Sequence, residues 1–226
     1  MTLDMTMKYH KINSIYKRDM TKRHAPFLIG EWAEPEFDYL QNNQWEFTEK
    51  IDGTNIRVMF DGENIVFGGK TDDAQISSHL FDKLQKLFLP RKMELKEIFK
   101  SDGEPVNVCL YGEGFGHKIQ GKVGTDYLSA EVDFCLFDVR VGNWWLERKN
   151  IYDIAGKLGL KTPKIVGHGT LPEAIELVKI GFKSGFGTAQ GEGLVLRPVV
   201  ELKNRGGQRI ITKVKTIDFK QLNNPT

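Results

Sequence analysis

Residues 44–71 alternate apolar and polar side chains, break once and turn once, and that pattern constrains the fold more than any other stretch of the chain. Trp45 and Phe47 mark a strand running to Asp52, and Ile56, Val58 and Phe60 mark a second from Asn55. Asp61-Gly62-Glu63-Asn64 reads as a turn into a third strand, Ile65 to Lys70. The break itself is Glu49-Lys50-Ile51-Asp52-Gly53-Thr54-Asn55. A lysine flanked by strands on both sides sits on a rigid element, where a reacting amine can be held in register. Gly53 allows close approach of the backbone to a ligand, and Asp52 and Asn55 put polar tips beside the amine. A protonated lysine has no lone pair to attack with, but partial desolvation and nearby cations can expose it. The ordinary alternative is a salt-bridged surface lysine at a strand end.

Beyond the hairpin, Ile76, Leu80, Leu84 and Leu87 share one helical face, with a stop expected at Pro90 and a second helix over Met93 to Phe99. Strands are expected at Val106–Tyr111 and Val132–Val139, and a helix at Leu146–Leu158. Thr170 and Glu173 have capping-box spacing ahead of Ala174, Leu177 and Val178. Gly193–Arg197 and Arg209–Val214 complete the strands. Strands separated by turns or by one or two helices, without strict alternation, predict an α+β fold with antiparallel sheets. No linker or internal repeat interrupts residues 1–226, so one domain is expected, with no C-terminal accessory domain.

Composition narrows the class. At 40% hydrophobic residues the chain can bury a core, yet it has no apolar run long enough to span a bilayer. Met1 to Met20 lacks the layout of a signal peptide, and the expectation is a cytoplasmic protein that does not engage membranes. Cys109 and Cys135 lie in apolar runs and read as buried thiols, and the five histidines lack metal-ligand spacing. A net charge of +2 does not by itself imply nucleic-acid binding, although Lys203, Arg205, Arg209, Lys213, Lys215 and Lys220 crowd the C-terminal segment.

Polar residues recur where predicted strands end. Lys70-Thr71 closes the hairpin, Glu113 sits between Gly112 and Gly114, and Phe137-Asp138 lies in the next strand. Glu192 opens Glu192-Gly193-Leu194-Val195-Leu196-Arg197, and Lys213 and Lys215, two apart, share a sheet face. Together they describe a nucleotide site: a ring to stack on a base, a carboxylate for ribose hydroxyls, lysines for phosphates and a carboxylate for a hard cation. Singly, each has a plain structural explanation as core, turn or solvated strand face. Phe67-Gly68-Gly69-Lys70-Thr71 ends like a phosphate loop, but Asn64 stands where that motif needs its first glycine.

The order Lys-x-Asp-Gly, Gly-Glu-Gly, Phe-Asp, Glu-Gly-Leu-Val-Leu-Arg and Lys-x-Lys resembles the covalent nucleotidyltransferase superfamily of ATP-dependent polynucleotide ligases and RNA-capping enzymes. With Lys70-Thr71 included, it is most similar to the RNA ligase 2 branch. The resemblance runs from about Lys11 to Lys215 and implies an ATP-grasp-like adenylyltransferase domain of two antiparallel sheets flanked by helices. It implies that Lys50 receives AMP from ATP, that Glu49, Ile51 and Asn55 line the adenosine end, and that Lys70 lies near the phosphates. It further implies that Glu113 meets the ribose, Phe137 stacks on adenine, Glu192 works with Mg²⁺ or Mn²⁺, and Lys213 and Lys215 hold phosphate. The implied substrate is RNA, with a nicked duplex, a single strand and a broken tRNA all open. Lys70 stands where these ligases commonly have arginine, and about ten residues follow Lys215, so a partner is expected to supply any nucleic-acid clamp. A DNA ligase, a capping guanylyltransferase and a non-catalytic nucleic-acid binder stay open alternatives, and Asn55 favours RNA ligase.

Overall fold

The computed structural model describes residues 7–101 and 104–223. The described residues fold as two compact units, one of 7–10 with Asp52–Pro163, the other of Lys11–Ile51 with 164–223.

The first unit is built on a five-stranded sheet in the order Trp144–Trp145, Val132–Val141, Val108–Gly116, Thr54–Phe60, Ile65–Gly68, all neighbours antiparallel. Alternation fixes its two faces. Ile56, Val58, Phe60, Val108, Leu110, Phe134, Leu136 and Val139 point to one side. There they meet Leu80, Leu84 and Phe88 of the helix Ser78–Phe88, Leu95 of Lys92–Ile98, and Ile151, Ile154 and Ala155 of Arg148–Lys157. Burying each large side chain of this kind contributes about 1.5–3 kcal/mol. Across the strands from them, on the other face, lie Asn55, Arg57 and Met59 opposite Glu113, Tyr111 and Cys109.

The second unit holds another five-stranded sheet, in the order Asn13–Ser14, Thr212–Lys215, Gly193–Pro198, Trp45–Lys50, Ile165–Gly169. It is antiparallel except for its first pair, since Asn13–Ser14 runs parallel to Thr212–Lys215. Trp45, Phe47, Leu194, Leu196 and Val214 pack on Leu171, Ala174, Ile175 and Val178 of the helix Leu171–Ile180. The predicted capping box forms: Thr170 N–H donates to Glu173 Oε2 at 2.7 Å and Glu173 N–H to Thr170 Oγ1 at 3.3 Å. A two-stranded ribbon, Tyr16–Arg18 with Phe27–Trp32, completes the unit's described strands.

The architecture is therefore mixed α+β with antiparallel sheets, and three local expectations are corrected. The helix begins at Ser78, after Ile76; it ends at Phe88, ahead of Pro90 as expected, and Pro90 sits in a 3₁₀ turn, Leu89–Arg91, that leads directly into the next helix. Proline is tolerated there because the first N–H groups of a helical turn have no partner to lose. The Gly112-Glu113-Gly114 stretch is the interior of a long strand, Val108–Gly116, and Glu113 does not end it. The last strand covers Thr212–Lys215, so Arg209 to Ile211 stand outside it. The ribbon, the helices Pro35–Leu40, Lys122–Tyr127 and Thr216–Asn223, and the strand Ile165–Gly169 carry no strong periodicity and were not foreseen. No helix among the described residues is long and apolar enough to cross a membrane.

Candidate functional site

In the second unit, strand register gathers the charged residues. Gly193 is the partner of Lys50 on one side and of Lys215 on the other, and Val195 is likewise flanked by Thr48 and Lys213. Lys50, Lys213 and Lys215 therefore share one sheet face. Gly193 leaves no side chain between Lys50 and Lys215, and a Cβ there would fall 2.1 Å from the Val214 carbonyl oxygen. Glu192, one residue before the strand, bridges them. Lys50 Nζ lies 2.7 Å from Glu192 Oε2, and Lys215 Nζ 2.6 Å from Oε1. The Glu192 side chain is only 14% exposed and those of Lys50 and Lys215 22% and 34%, so this is a largely enclosed triad with one excess positive charge. Such a cluster suits a phosphate, and its carboxylate is a hard oxygen donor for a divalent cation. Among the described residues there is no group of three or more His, Cys, Asp or Glu placed to hold a metal ion. A Mg²⁺ bound through one carboxylate and substrate phosphates needs no such cage.

Glu49, next to Lys50 in sequence, faces the opposite side of the sheet. It is 1% exposed, and its carboxylate accepts from Ser184 Oγ and, at 2.8 Å, from Gly185 N–H. Its own N–H donates to the Lys164 carbonyl at 2.8 Å. Ile51 is buried. Ser184 had no signal in sequence beyond being a loop hydroxyl.

In the first unit, Asn55 and Glu113 are direct cross-strand partners, with Cys135 beyond Glu113. Asn55 Oδ1 is buried without a hydrogen-bond partner, an acceptor whose desolvation costs about 1–3 kcal/mol unless something donates to it. The glycines beside Glu113 do not make room for a flat ligand: a Cβ at Gly112 would meet the Phe134 ring at 2.2 Å, and one at Gly114 would meet Leu80 at 2.5 Å. Gly53 likewise serves chain packing, its absent Cβ lying 2.3 Å from the Gly114 carbonyl oxygen. The turn Asp52-Gly53 is tied down by two residues not singled out in sequence. Asp52 N–H donates to Tyr127 Oη at 3.1 Å, and Gln120 Nε2 donates to the Gly53 carbonyl at 2.9 Å. Lys70 is exposed, two residues past the strand that ends at Gly68.

Phe137 occupies a β-bulge, where the register slips between Leu136 and Asp138. A bulge re-aims its side chain. The half-buried ring sits edge-on to Tyr9, with centroids 5.2 Å apart, beside a cluster of Met7, Met59, Cys109 and Tyr111. Asp138 is fully buried and accepts from Tyr9 Oη at 2.7 Å. Burial pushes the Cys109 thiol up to about 12 and raises the Tyr111 phenol as well, so both stay neutral. Tyr111 Oη donates to the Met7 carbonyl at 3.1 Å.

Comparison with known proteins adds the lineage. Comparison with curated proteins gives no match. Among solved structures, a Naegleria gruberi RNA ligase variant with ATP and Mn superposes with a TM-score of 0.62 at 17% identity, covering 84% of this chain and 55% of that one. A second variant of the same ligase with ATP and Mn gives 0.63 at 16% identity, covering 96% and 63%. The Naegleria gruberi RNA ligase with PPi gives 0.62 at 18%, covering 84% and 55%. At such identities the likeness is one of fold, and this chain spans little more than half the length of the first of these ligases. The sequence pattern described as RNA ligase matches residues 43–215, a stretch that holds every candidate site residue from Glu49 to Lys215. The chain belongs to the RNA ligase family.

Proposed function

We propose that this chain is the nucleotidyltransferase domain of an ATP-dependent RNA ligase of the RNA ligase 2 branch, with an ATP-grasp-like adenylation fold extending over residues 1–226. The observation that carries the reading is the enclosed Lys50–Glu192–Lys215 triad within the family match. The Lys50 amine attacks the α-phosphorus of ATP, the bond to the β-phosphate breaks, and pyrophosphate leaves as a lysine–AMP phosphoramidate forms. AMP then passes to a 5′-phosphate of RNA, and a 3′-hydroxyl displaces it to seal the strand. Throughout, the protein's work is alignment and neutralisation of phosphate charge.

Each residue has a role in keeping with its chemistry. Lys50 as an ammonium paired with Glu192 has no lone pair to give, so before attack it must lose a proton to solvent, which parting from Glu192 favours. A Mg²⁺ or Mn²⁺ ion, held by Glu192, would neutralise phosphate oxygens. Lys213 and Lys215 hold phosphate on the strand face, and Lys70 does so from its turn. Glu113 accepts from ribose hydroxyls, and Asn55 offers its unpartnered oxygen to a donor on the nucleotide. The Phe137 ring stacks on adenine, and backbone groups near Glu49 and Ile51, whose side chains are buried, meet the adenosine end. RNA is the second substrate, and two buried free thiols suit a reducing cytoplasm.

The test is incubation with α-labelled ATP or GTP and Mg²⁺, followed by a nicked RNA duplex. Label retained from ATP alone, and sealing that weakens steeply as salt rises, is the expected outcome. Equal labelling by GTP would redirect the reading to capping chemistry, and no covalent label from either nucleotide would overturn it.

A further inference from the structure

Arg57 is not among the residues that the nucleotide reading uses, yet it is a guanidinium buried to 1% exposure inside the first unit. A buried charge is costly, and an apolar side chain of the same volume would hold a sheet at least as well. Its contacts show what it is tied to. Nε donates to the Gly69 carbonyl at 2.8 Å, and Nη2 lies 2.8 Å from Asp72 Oδ1. Asp72 is also paired with Lys8 at 3.0 Å. The hydrogen bond from Arg57, reinforced by Lys8, holds the Asp72 carboxyl below the usual carboxylate range.

Both contacts fall on the turn that carries Lys70, one residue before it and two after. The paired glycines that look like the end of a phosphate loop serve this arrangement. Gly68 is the cross-strand partner of Arg57, and a Cβ on it would come within 3.1 Å of Nη2. A Cβ on Gly69 would come within 2.7 Å of the Ala74 Cβ. The turn is folded tightly over the guanidinium, and Lys70 within it is exposed.

We propose that Arg57 is a positioning residue for Lys70, its forked guanidinium fixing the Gly69–Asp72 turn so that the Lys70 ammonium is presented to the nucleotide's phosphates. The inference rests on the reading of the chain as an ATP-using nucleotidyltransferase. It accounts for a lysine at a position where a forked arginine is usual: the fork sits underneath, holding the backbone, and the flexible lysine above it gains a fixed base.

The experiment measures lysine–AMP formation against ATP concentration in the full chain, in Arg57→Lys, in Asp72→Asn, and in each of these combined with Lys70→Ala. Arg57→Lys keeps the charge but cannot serve the carbonyl and the carboxylate together, and half-saturating ATP should rise about tenfold with a smaller change at saturation. Asp72→Asn should raise it about two- to threefold and stands in should Arg57→Lys fail to fold. In the Lys70→Ala background both penalties should vanish, a coupling that a purely structural arginine would not produce. An unchanged half-saturating ATP, or the same penalty with Lys70 absent, overturns the inference while leaving the proposed function standing. An unaltered chain that takes no label overturns both.

Discussion

The two units commit their polar side chains in opposite ways. In the one containing Lys50, the carboxylates on both sheet faces are held by polar partners: Glu192 is shared by Lys50 and Lys215, and Glu49 is locked onto the Ser184 hydroxyl and the Gly185 N–H. In the one containing Glu113, the corresponding sheet face offers an unpartnered amide oxygen on Asn55 and an aromatic cluster around Phe137, braced by Tyr9 on Asp138. The first arrangement has to exchange partners before a lysine can react. The second leaves one buried acceptor without a partner beside a packed aromatic cluster. Under the proposed function, losses in the first should therefore appear in rate and metal dependence, and losses in the second in nucleotide affinity.

The largest such effect is expected from Glu192→Gln, which keeps the shape and removes the charge. Lysine–AMP formation should fall on the order of a hundredfold, with more Mg²⁺ needed for half-maximal rate. A variant that reacts faster than the parent would mean that Glu192 is only a latch on Lys50. Next, Phe137→Ala should raise half-saturating ATP by about tenfold or more, since stacking on a base contributes about 1–3 kcal/mol. Inhibition by inorganic tripolyphosphate should not change, and if it weakens equally the ring supports the sheet and does not meet the base.

Stability separates the packing of the units from their chemistry. Gly112→Ala forces a methyl into the Phe134 ring and should cost about 1–3 kcal/mol, visible as a lower Tm. An unchanged Tm would show that Phe134 can move and that the glycine is there for another reason. The smallest effect belongs to the helix cap: Thr170→Ala should cost about 1 kcal/mol in denaturant unfolding. Hydrogen bonds from the Thr170 N–H and hydroxyl hold the Glu173 carboxyl below its ordinary range. Its contribution is thus present above the unfolded value near 4.5 and is lost as pH falls through the lower folded value. The difference between parent and Glu173→Ala should shrink in acid, and a difference that grows there would contradict the assignment.

What could be read in advance depended on how far apart the cooperating residues lie. The Thr170 cap and the hairpin around Asp61-Gly62 are decided within a few residues, and both form as expected. Glu49 was legible in principle, because period-two alternation puts it and Lys50 on opposite faces of their strand. The glycines around Glu113 misled because a glycine-rich stretch signals a turn locally. What keeps it extended is Phe134 and Leu80 filling the space that the missing side chains leave, more than 20 residues away in either direction. Arg57 was silent for the same reason: nothing near it in sequence shows that Gly69 and Asp72 will close over it. The bulge that re-aims Phe137 also depends on a partner strand and leaves no mark of its own.

The central claim is that Lys50 carries the nucleotide. The most direct measurement is to react the full chain with ATP and Mg²⁺, digest it, and locate by mass spectrometry the peptide that has gained AMP. The account predicts one acid-labile adduct, on Lys50, absent from a folded Lys50→Ala variant. An adduct on Lys213, Lys215 or any other residue, or one that persists in Lys50→Ala, would contradict it.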